Sequence, residues 1–471
     1  MMDKVWIWLF QYFTVVVILY MSFTALSYVV LFLLSWRKVS REGKLDIKET
    51  LEDLAISEST IPVSIIVPSY NEEIGIISTV RSLLTLQYPQ FEIIVVDDGS
   101  TDHTLKKLID AYDLEMTEYA IRKHLHTSPV HAVYKSPIFP NLMVVSKDNG
   151  GKADALNCGI NLSNYPYFCA IDGDSILEQD ALLKAMKPVL SSDGGIIAVG
   201  GSIRIANGTT ISRSKIEVIE LPNKPLVILQ IIEYFRAFLI GRLGFSKFNQ
   251  LLIVSGAFGV FRKDKVIHVG GYQEGTVGED MELIVRLHRM IQEEKLADRI
   301  EYIPDPVCWT EAPESFNILR LQRIRWQRGL AETIQRHRTM LFNPQYGSVG
   351  LVTMPYFLFV ELLGAVFEFL GYVLITGGLL FDFLDPAVVL TIFLVTIIYG
   401  SFISSLAVLL EEMTMHKYPK VSHLLKLFFW SLTESFWYRP LLVIWRLEGL
   451  ISFFFRKAEW GQMQRKGISS D

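Results

Sequence analysis

Tyr165-Pro-Tyr-Phe-Cys-Ala-Ile-Asp-Gly-Asp-Ser175 is an apolar run that stops abruptly in two carboxylates, Asp172 and Asp174, one glycine apart. Read as a buried strand of an open α/β sheet, it puts both acids beyond the strand's carboxyl end, where such sheets collect their ligands, and Gly173 lets the backbone turn so that both face one point. Two hard oxygen donors suit a divalent cation of the Mg2+ or Mn2+ kind that draws its other ligands from phosphates and water. Taken alone, the same residues also read as a strand followed by a solvated Asp-Gly turn. The company of the motif decides between the two.

Working outward, residues 61–313 alternate short β-rich runs with amphipathic stretches, as a parallel sheet with crossover helices does. Strands are expected at 63–67, 91–96, 142–145, 167–171 and 196–199, and helices at 72–86, 104–112, 152–162 and 179–190. No Gly-x-Gly-x-x-Gly follows the first strand and no P-loop is present, so dinucleotide and P-loop chemistry lose their support. Residues 114–140 read as a surface insertion whose His124, His126 and His131 face solvent.

Half of the 471 residues are hydrophobic, and the mean hydropathy of +0.31 calls for a membrane component. Residues 5–34 are almost uncharged and long enough to cross a bilayer. Arg37, Lys38, Arg41 and Lys44 follow them, which puts the next domain in the cytoplasm. After 313, a basic amphipathic helix over 315–330 suits a membrane surface. Residues 350–380 and 388–410 are spanning candidates. The stretch 424–455 is apolar but carries Glu434, Arg439, Pro440, Arg446 and Glu448, so it is interfacial or lines a polar cavity. Glu361 and Glu368, seven apart, share a helical face directed at a polar pathway or a partner helix. The basic tail, Arg456, Lys457, Arg465 and Lys466, prefers the cytoplasm. The net charge of −5, with no long basic tail or aromatic-basic interleaving, gives no support for nucleic acid. Cys158, Cys169 and Cys308 lack metal-ligand spacing and read as buried, reduced thiols. The sequons at Asn161 and Asn207 read as chance.

Four further clusters fall after strands or at helix starts. Val67-Pro-Ser-Tyr-Asn-Glu-Glu73 offers the Tyr70 ring for stacking on a nucleobase, beside Glu72. Val95-Val-Asp-Asp-Gly-Ser-Thr-Asp102 sets Asp98 to accept hydrogen bonds from a base imide or a ribose hydroxyl. Gly150-Gly-Lys-Ala-Asp-Ala-Leu-Asn157 opens a helix, where free N–H groups and Lys152 make an anion site. Gly278-Glu-Asp-Met281 presents Asp280 as a candidate general base. Each cluster has an ordinary reading as a turn former, exposed helix residue or cap. In this order they make those readings the weaker ones.

The ordered set VPSYNEE, VVDDGSTD, GGKADALN, IDGDS, GED and QRIRW resembles the membrane-embedded processive members of glycosyltransferase family 2, the cellulose, chitin, hyaluronan and poly-N-acetylglucosamine synthases. The resemblance runs from 61 to 329. It implies an α/β GT-A catalytic domain set between transmembrane helices, a UDP-sugar donor, Mg2+ or Mn2+, inversion at the anomeric carbon and extrusion of a growing polysaccharide. Carried over, Tyr70, Glu72 and Asp98 would serve the nucleoside and Lys152 the diphosphate. Asp172 and Asp174 would hold the metal and donor, and Asp280 would be the base. Gln322, Arg325 and Trp326 would hold pyrophosphate and acceptor.

The implied organisation is an anchor at 1–36, a linker at 37–60, the catalytic domain at 61–313 and an interfacial region at 314–345. Channel helices at 346–456 and a tail at 457–471 complete it. The plasma membrane, with a cytoplasmic catalytic domain, would be its place, and accessory export or regulatory subunits its possible partners. A non-processive enzyme adding one sugar to a lipid carrier is the alternative. Gly278 stands where many relatives have threonine, which leaves the base in place, and no domain for a cyclic dinucleotide is expected.

Overall fold

The computed structural model describes residues 2–42 and 60–455, apart from 193, 213–214, 382–384, 416–417 and 419. The basic tail, most of the linker and the centre of the acidic turn at 381–386 lie outside the described residues. The chain forms two compact units, a sheet unit of 38–223 with 245–312 and a helical unit of 1–37, 224–244 and 313–459. Residues 224–244, which the sequence assigned to the catalytic domain, thus group with the helices.

In chain order the strands are β1 (Val63–Ser69), β2 (Phe91–Asp97), β3 (Glu115–Thr117), β4 (Val130–Lys135), β5 (Leu142–Lys147), β6 (Tyr167–Ile171), β7 (Ile176–Leu177), β8 (Ile196–Ile205), β9 (Thr210–Ser212), β10 (Lys215–Val218), β11 (Phe258–Arg262) and β12 (Arg299–Thr310). The principal helices are α1 (Met2–Glu42), α2 (Ile76–Leu84), α3 (Thr104–Tyr112), α4 (Lys152–Leu162), α5 (Ala181–Leu190), α6 (Pro225–Phe235), α7 (Lys263–His268), α8 (Glu279–Glu293), α9 (Phe316–Arg336), α10 (Gly364–Leu380), α11 (Pro386–Met415) and α12 (Val421–Phe455).

The main sheet has the order β3-β4-β5-β2-β1-β6-β11-β8-β12-β7. β5, β2, β1 and β6 run parallel, with Ile65 opposite both Ile93 and Cys169. Val63, Ile65, Ile66 and Val67 are fully buried, as are Ile93 to Val96, which is why these strands read as unbroken apolar runs and not as alternating ones. Each such side chain contributes about 1.5–3 kcal/mol on burial. Helix α4 lies so close to β1 that a Cβ on Gly159 would fall 2.3 Å from Ile66 Cγ2; only glycine permits that approach.

The sheet is mixed, which corrects the parallel expectation: β11 runs antiparallel to both β6 and β8. Residues 114–140 are also no mere surface insertion, because β3 and β4 extend the sheet by antiparallel pairing onto β5. His131, on β4, bonds Asp148 at 2.7 Å, and Asn161 is buried, its amide bonded to Leu125 and His124. The cysteines are free and buried, as expected.

In the helical unit, α1 and the 396–413 part of α11 are long and apolar enough to cross a membrane. The expected span at 350–380 is broken instead. Two π-helical turns, Val349–Thr353 and Phe357–Leu362, precede α10, with a bend of 40° between 349–362 and α10, and the pair counts as a third crossing only if taken as one span. Helix α12 is continuous through Pro440. Its charges are met by other helices: Glu434 bonds Arg236, Arg439 bonds Glu368, and Arg446 bonds Gln327 and the Glu361 carbonyl. The Glu361 carboxylate also lies 3.9 Å from Arg446, so Glu361 and Glu368 face a partner helix, one of the two environments expected for them.

Candidate active site

The parallel run of β5, β2, β1 and β6 brings four of the five sequence clusters to one edge of the sheet, because each lies just past a strand's carboxyl end. The loops after β1 and β2 are stitched together. Asn71 Oδ1 accepts from the Thr101 N–H at 2.8 Å, and Ser100 Oγ and Thr104 Oγ1 accept from the N–H groups of Asn71 and Glu72 at 3.0 and 2.9 Å. Tyr70 stands at this junction with 45% of its surface exposed, open to stacking. Gly173 packs on the same loop: a Cβ there would lie 3.4 Å from the side chain of Glu72 and 3.2 Å from the Pro68 carbonyl.

Asp98 is buried to 2% exposure, and the protein itself uses its carboxylate. Oδ1 accepts from Lys147 Nζ at 2.5 Å and the Gly150 N–H at 3.0 Å, and Oδ2 accepts from the Gly151 N–H at 2.8 Å. Lys147, wholly buried, also bonds Asp154 at 2.5 Å. Burial opposes its charge, yet Asp154 and Asp98 outweigh this and push its pKa up. The loop that opens α4 is thereby pinned and Lys152 placed. Next to Asp98, burial pushes the Asp97 carboxyl up, against hydrogen bonds from Ser100.

Lys152 is the hub of the second half. Its Nζ lies 2.6 Å from Asp172 Oδ1 and 3.2 Å from Glu279 Oε1. Burial works against the ammonium, but Asp172, Glu279 and Asp280 prevail and raise its pKa above the ordinary lysine value. Burial raises Glu279, opposed by Lys152. Asp280, at the start of α8, is oriented by the backbone: Oδ2 accepts from the Gly256 N–H at 3.1 Å and Oδ1 from the Met281 N–H at 2.8 Å. A Cβ on Gly256 would stand 2.7 Å from Lys152 Nζ and 3.6 Å from Asp280 Oδ2, so this loop is a backbone wall of the site.

One ammonium thus serves three carboxylates, an excess of negative charge that fits a divalent cation. The donor set fits as well. Asp172 and Asp174, part-exposed, carry hard oxygen donors, and no group of three or more His, Cys, Asp or Glu poised for a metal exists among the described residues. A cation here would have two protein carboxylates and take its other ligands from substrate and water.

Gln322, Arg325 and Trp326 belong to the helical unit, on α9, whose N-cap Ser315 accepts from the Ile318 N–H. Trp326 is 45% exposed. Between Gln322 and Arg325, the unremarked Arg323 is buried. It bonds Glu233 at 2.7 Å and the Gln322 amide oxygen at 3.1 Å, and lies 4.2 Å above the Trp326 ring, so it fixes the two side chains that flank it. Glu279, Lys147, Gly256 and Arg323 are the residues that motif reading passed over. Lys147 had a signal, a charge closing an apolar strand; Gly256 had none.

Comparison with known proteins bears on this arrangement. A glycosyl transferase family 2 model matches residues 64–125, a glycosyltransferase-like family 2 model matches 137–329, and a chitin synthase model matches 276–462. Poly-beta-1,6-N-acetyl-D-glucosamine synthase of Staphylococcus aureus is 30% identical over 276 residues, 58% of this chain and 56% of the relative. The Staphylococcus epidermidis protein of the same name is 26% identical over 331 residues, 68% and 66% of the two chains. The chain so spans little more than half the length of the first of these relatives. Among solved structures, the mannosyltransferase PcManGT from Pyrobaculum calidifontis, in complex with GDP-Man and Mn2+, aligns over 93% of this chain and 99% of its own with a TM-score of 0.52 at 16% identity, a likeness of fold. The sheet unit has the GT-A glycosyltransferase fold, and its successive matches are to models of glycosyltransferase family 2 and of chitin synthase, so the chain is similar to polysaccharide synthases of that family.

Proposed function

We propose that this chain is an inverting, processive polysaccharide synthase of the plasma membrane. It transfers a hexose or N-acetylhexosamine from a UDP-sugar to a growing β-linked chain and extrudes that chain through its multi-pass helices, with the sheet unit in the cytoplasm. The observation that carries the reading is the gathering of Lys152, Asp172, Glu279 and Asp280 within one cluster at the helix-start edge of a GT-A sheet. The chitin synthase match across the helices and the synthase relatives supply the polymer.

A sugar hydroxyl is a poor nucleophile at neutral pH, and the transfer needs a carboxylate that accepts its proton as the glycosidic bond forms. Asp280, held at both oxygens by backbone N–H groups, is that base. Asp172 and Asp174 would hold Mg2+ or Mn2+, which supplies charge neutralisation for the departing diphosphate. Lys152 adds positive charge there, while Tyr70 stacks on the base and Asp98 and Glu72 shape its pocket. Gln322, Arg325 and Trp326 serve the pyrophosphate and the acceptor sugar, Arg325 by a forked contact.

Membranes containing the protein, given a panel of UDP-sugars, are expected to release UDP with one of them and to accumulate a polymer or a ladder of oligosaccharides. A single lipid-linked sugar would instead establish the non-processive alternative.

A further inference from the structure

In the cluster around Lys152, the ammonium holds Oδ1 of Asp172, the carboxylate proposed for a divalent cation, at 2.6 Å, and the same ammonium already touches Glu279 at 3.2 Å. Two cations on one part-buried carboxylate repel, so a metal arriving at Asp172 displaces the lysine. The lysine needs a second anion within reach, because an uncompensated buried charge is costly. Glu279 is that anion: it is 5% exposed, its carboxylate pairs with Lys152, and a shift of a few tenths of an ångström brings the pair to an ordinary charge-assisted distance. Gly256 leaves the space in which the ammonium moves, since any side chain there would begin 2.7 Å from Nζ.

We infer that Glu279 is a positioning residue that takes over the Lys152 ammonium when a divalent cation takes Asp172, so that Lys152 shields the acids of the empty site without blocking the metal. The inference rests on the reading of Asp172 as a cation ligand. It assigns Glu279 no contact with the reacting atoms; Glu279 acts through Lys152, and its effect on metal binding disappears with Lys152.

The test is Mn2+ binding to the purified full-length protein, followed by the loss of the free-ion paramagnetic resonance signal at one pH, with thermal unfolding as a check on folding. Glu279→Gln is expected to weaken Mn2+ binding about tenfold, the size of coupling typical of contacting charges. Lys152→Met is expected to tighten binding of the bare ion several-fold, since the resident competitor is gone. In the Lys152→Met background, Glu279→Gln is expected to change affinity by less than about twofold. Glu279→Asp, which keeps the charge, should recover most of the loss, and it carries the comparison if the glutamine variant does not fold. Equal weakening by Glu279→Gln in both backgrounds, no weakening at all, or a wild-type protein that binds no Mn2+ overturns the inference. UDP release by the same preparations separates the two readings. Release without the Mn2+ pattern removes the role of Glu279 alone, whereas the Mn2+ pattern without release from any UDP-sugar removes the synthase reading alone.

Discussion

The ion pairs of the helical unit and the Lys152 cluster of the sheet unit use ionised side chains in opposite ways. In the helical unit, acids are matched to arginines: Glu368 with Arg439 at 2.9 Å, Glu434 with Arg236 at 2.9 Å, Glu233 with Arg323 at 2.7 Å, and Glu448 with Arg320 at 2.5 Å. Two are completed by a neutral partner, Ser404 on Glu434 and Tyr438 on Glu233. In the sheet unit, one ammonium at Lys152 faces three carboxylates. A matched pair in an apolar setting has nothing left to offer a ligand, and its role is to hold helices in register. In the proposed function, the unmatched cluster around Lys152 leaves charge balance for a substrate and a metal to complete. This difference separates the two kinds of charge better than residue type does, since glutamate serves in both.

The contrast can be broken at several points. Asp280→Asn, nearly isosteric and still able to accept from the Gly256 N–H, is expected to lower UDP release by about two to four orders of magnitude, the usual worth of a general base. UDP binding by calorimetry should stay within a few-fold of wild type. Undiminished turnover would remove Asp280 from the chemistry. In the other unit, Glu368→Gln strands Arg439 and should destabilise the protein by about 3–5 kcal/mol, whereas replacing both partners by apolar residues should recover much of the loss. Thermal unfolding in detergent reads both, and an unchanged transition in the single variant would show that the pair is not a lock.

A third test concerns His288, fully buried on α8 with Nε2 bonded to the Leu251 carbonyl. Burial pushes its pKa down from 6.5 to about 4, the hydrogen bond only partly opposing this. The unfolded chain therefore binds a proton at higher pH than the folded one. The contribution of His288 is present above pH 6.5 and is lost as pH falls towards 4, in total about 3 kcal/mol. Melting temperatures measured across that window should fall less in a His288→Gln variant than in wild type; parallel curves would contradict the assignment. The smallest effect belongs to a pair that is neither lock nor ligand site. His131 and Asp148 lie 2.7 Å apart but are both more than half exposed, and His131→Ala should change stability by less than about 1 kcal/mol.

How far the sequence speaks for itself varies with the range of the interaction. β6, α3 and α4 occur over the same residues as their local patterns foretell, and β1, β2 and β5 differ only by a residue or two at their ends, because continuous Val/Ile runs and helix-start glycines are local signals. The antiparallel entry of β11 between β6 and β8 has no local signature; it is a choice of partner far along the chain. β3 and β4 were hidden for a related reason, since a short edge strand with exposed Glu115 and Met116 looks like a loop until it finds β4, and β4 until it finds β5. The 224–244 segment is apolar enough for any core, and only its contacts, Gln230 to the Pro313 carbonyl and Arg236 to Glu434, place it among the helices. In the site, the acids and Lys152 were legible from motif order. The backbone donor at Gly256 and the bridging part of Glu279 were not, because each depends on three segments meeting.

The claim at the centre of this account is that the Lys152–Asp172–Asp280 cluster builds a polymer from a UDP-sugar. The most direct measurement is the size distribution of the product formed by purified protein in proteoliposomes supplied with a UDP-sugar and Mn2+ or Mg2+, alongside the moles of UDP released. The account predicts a polymer whose sugar content equals the UDP released and which is absent with Asp280→Asn; a product one sugar long, or UDP release that Asp280→Asn leaves intact, would contradict it.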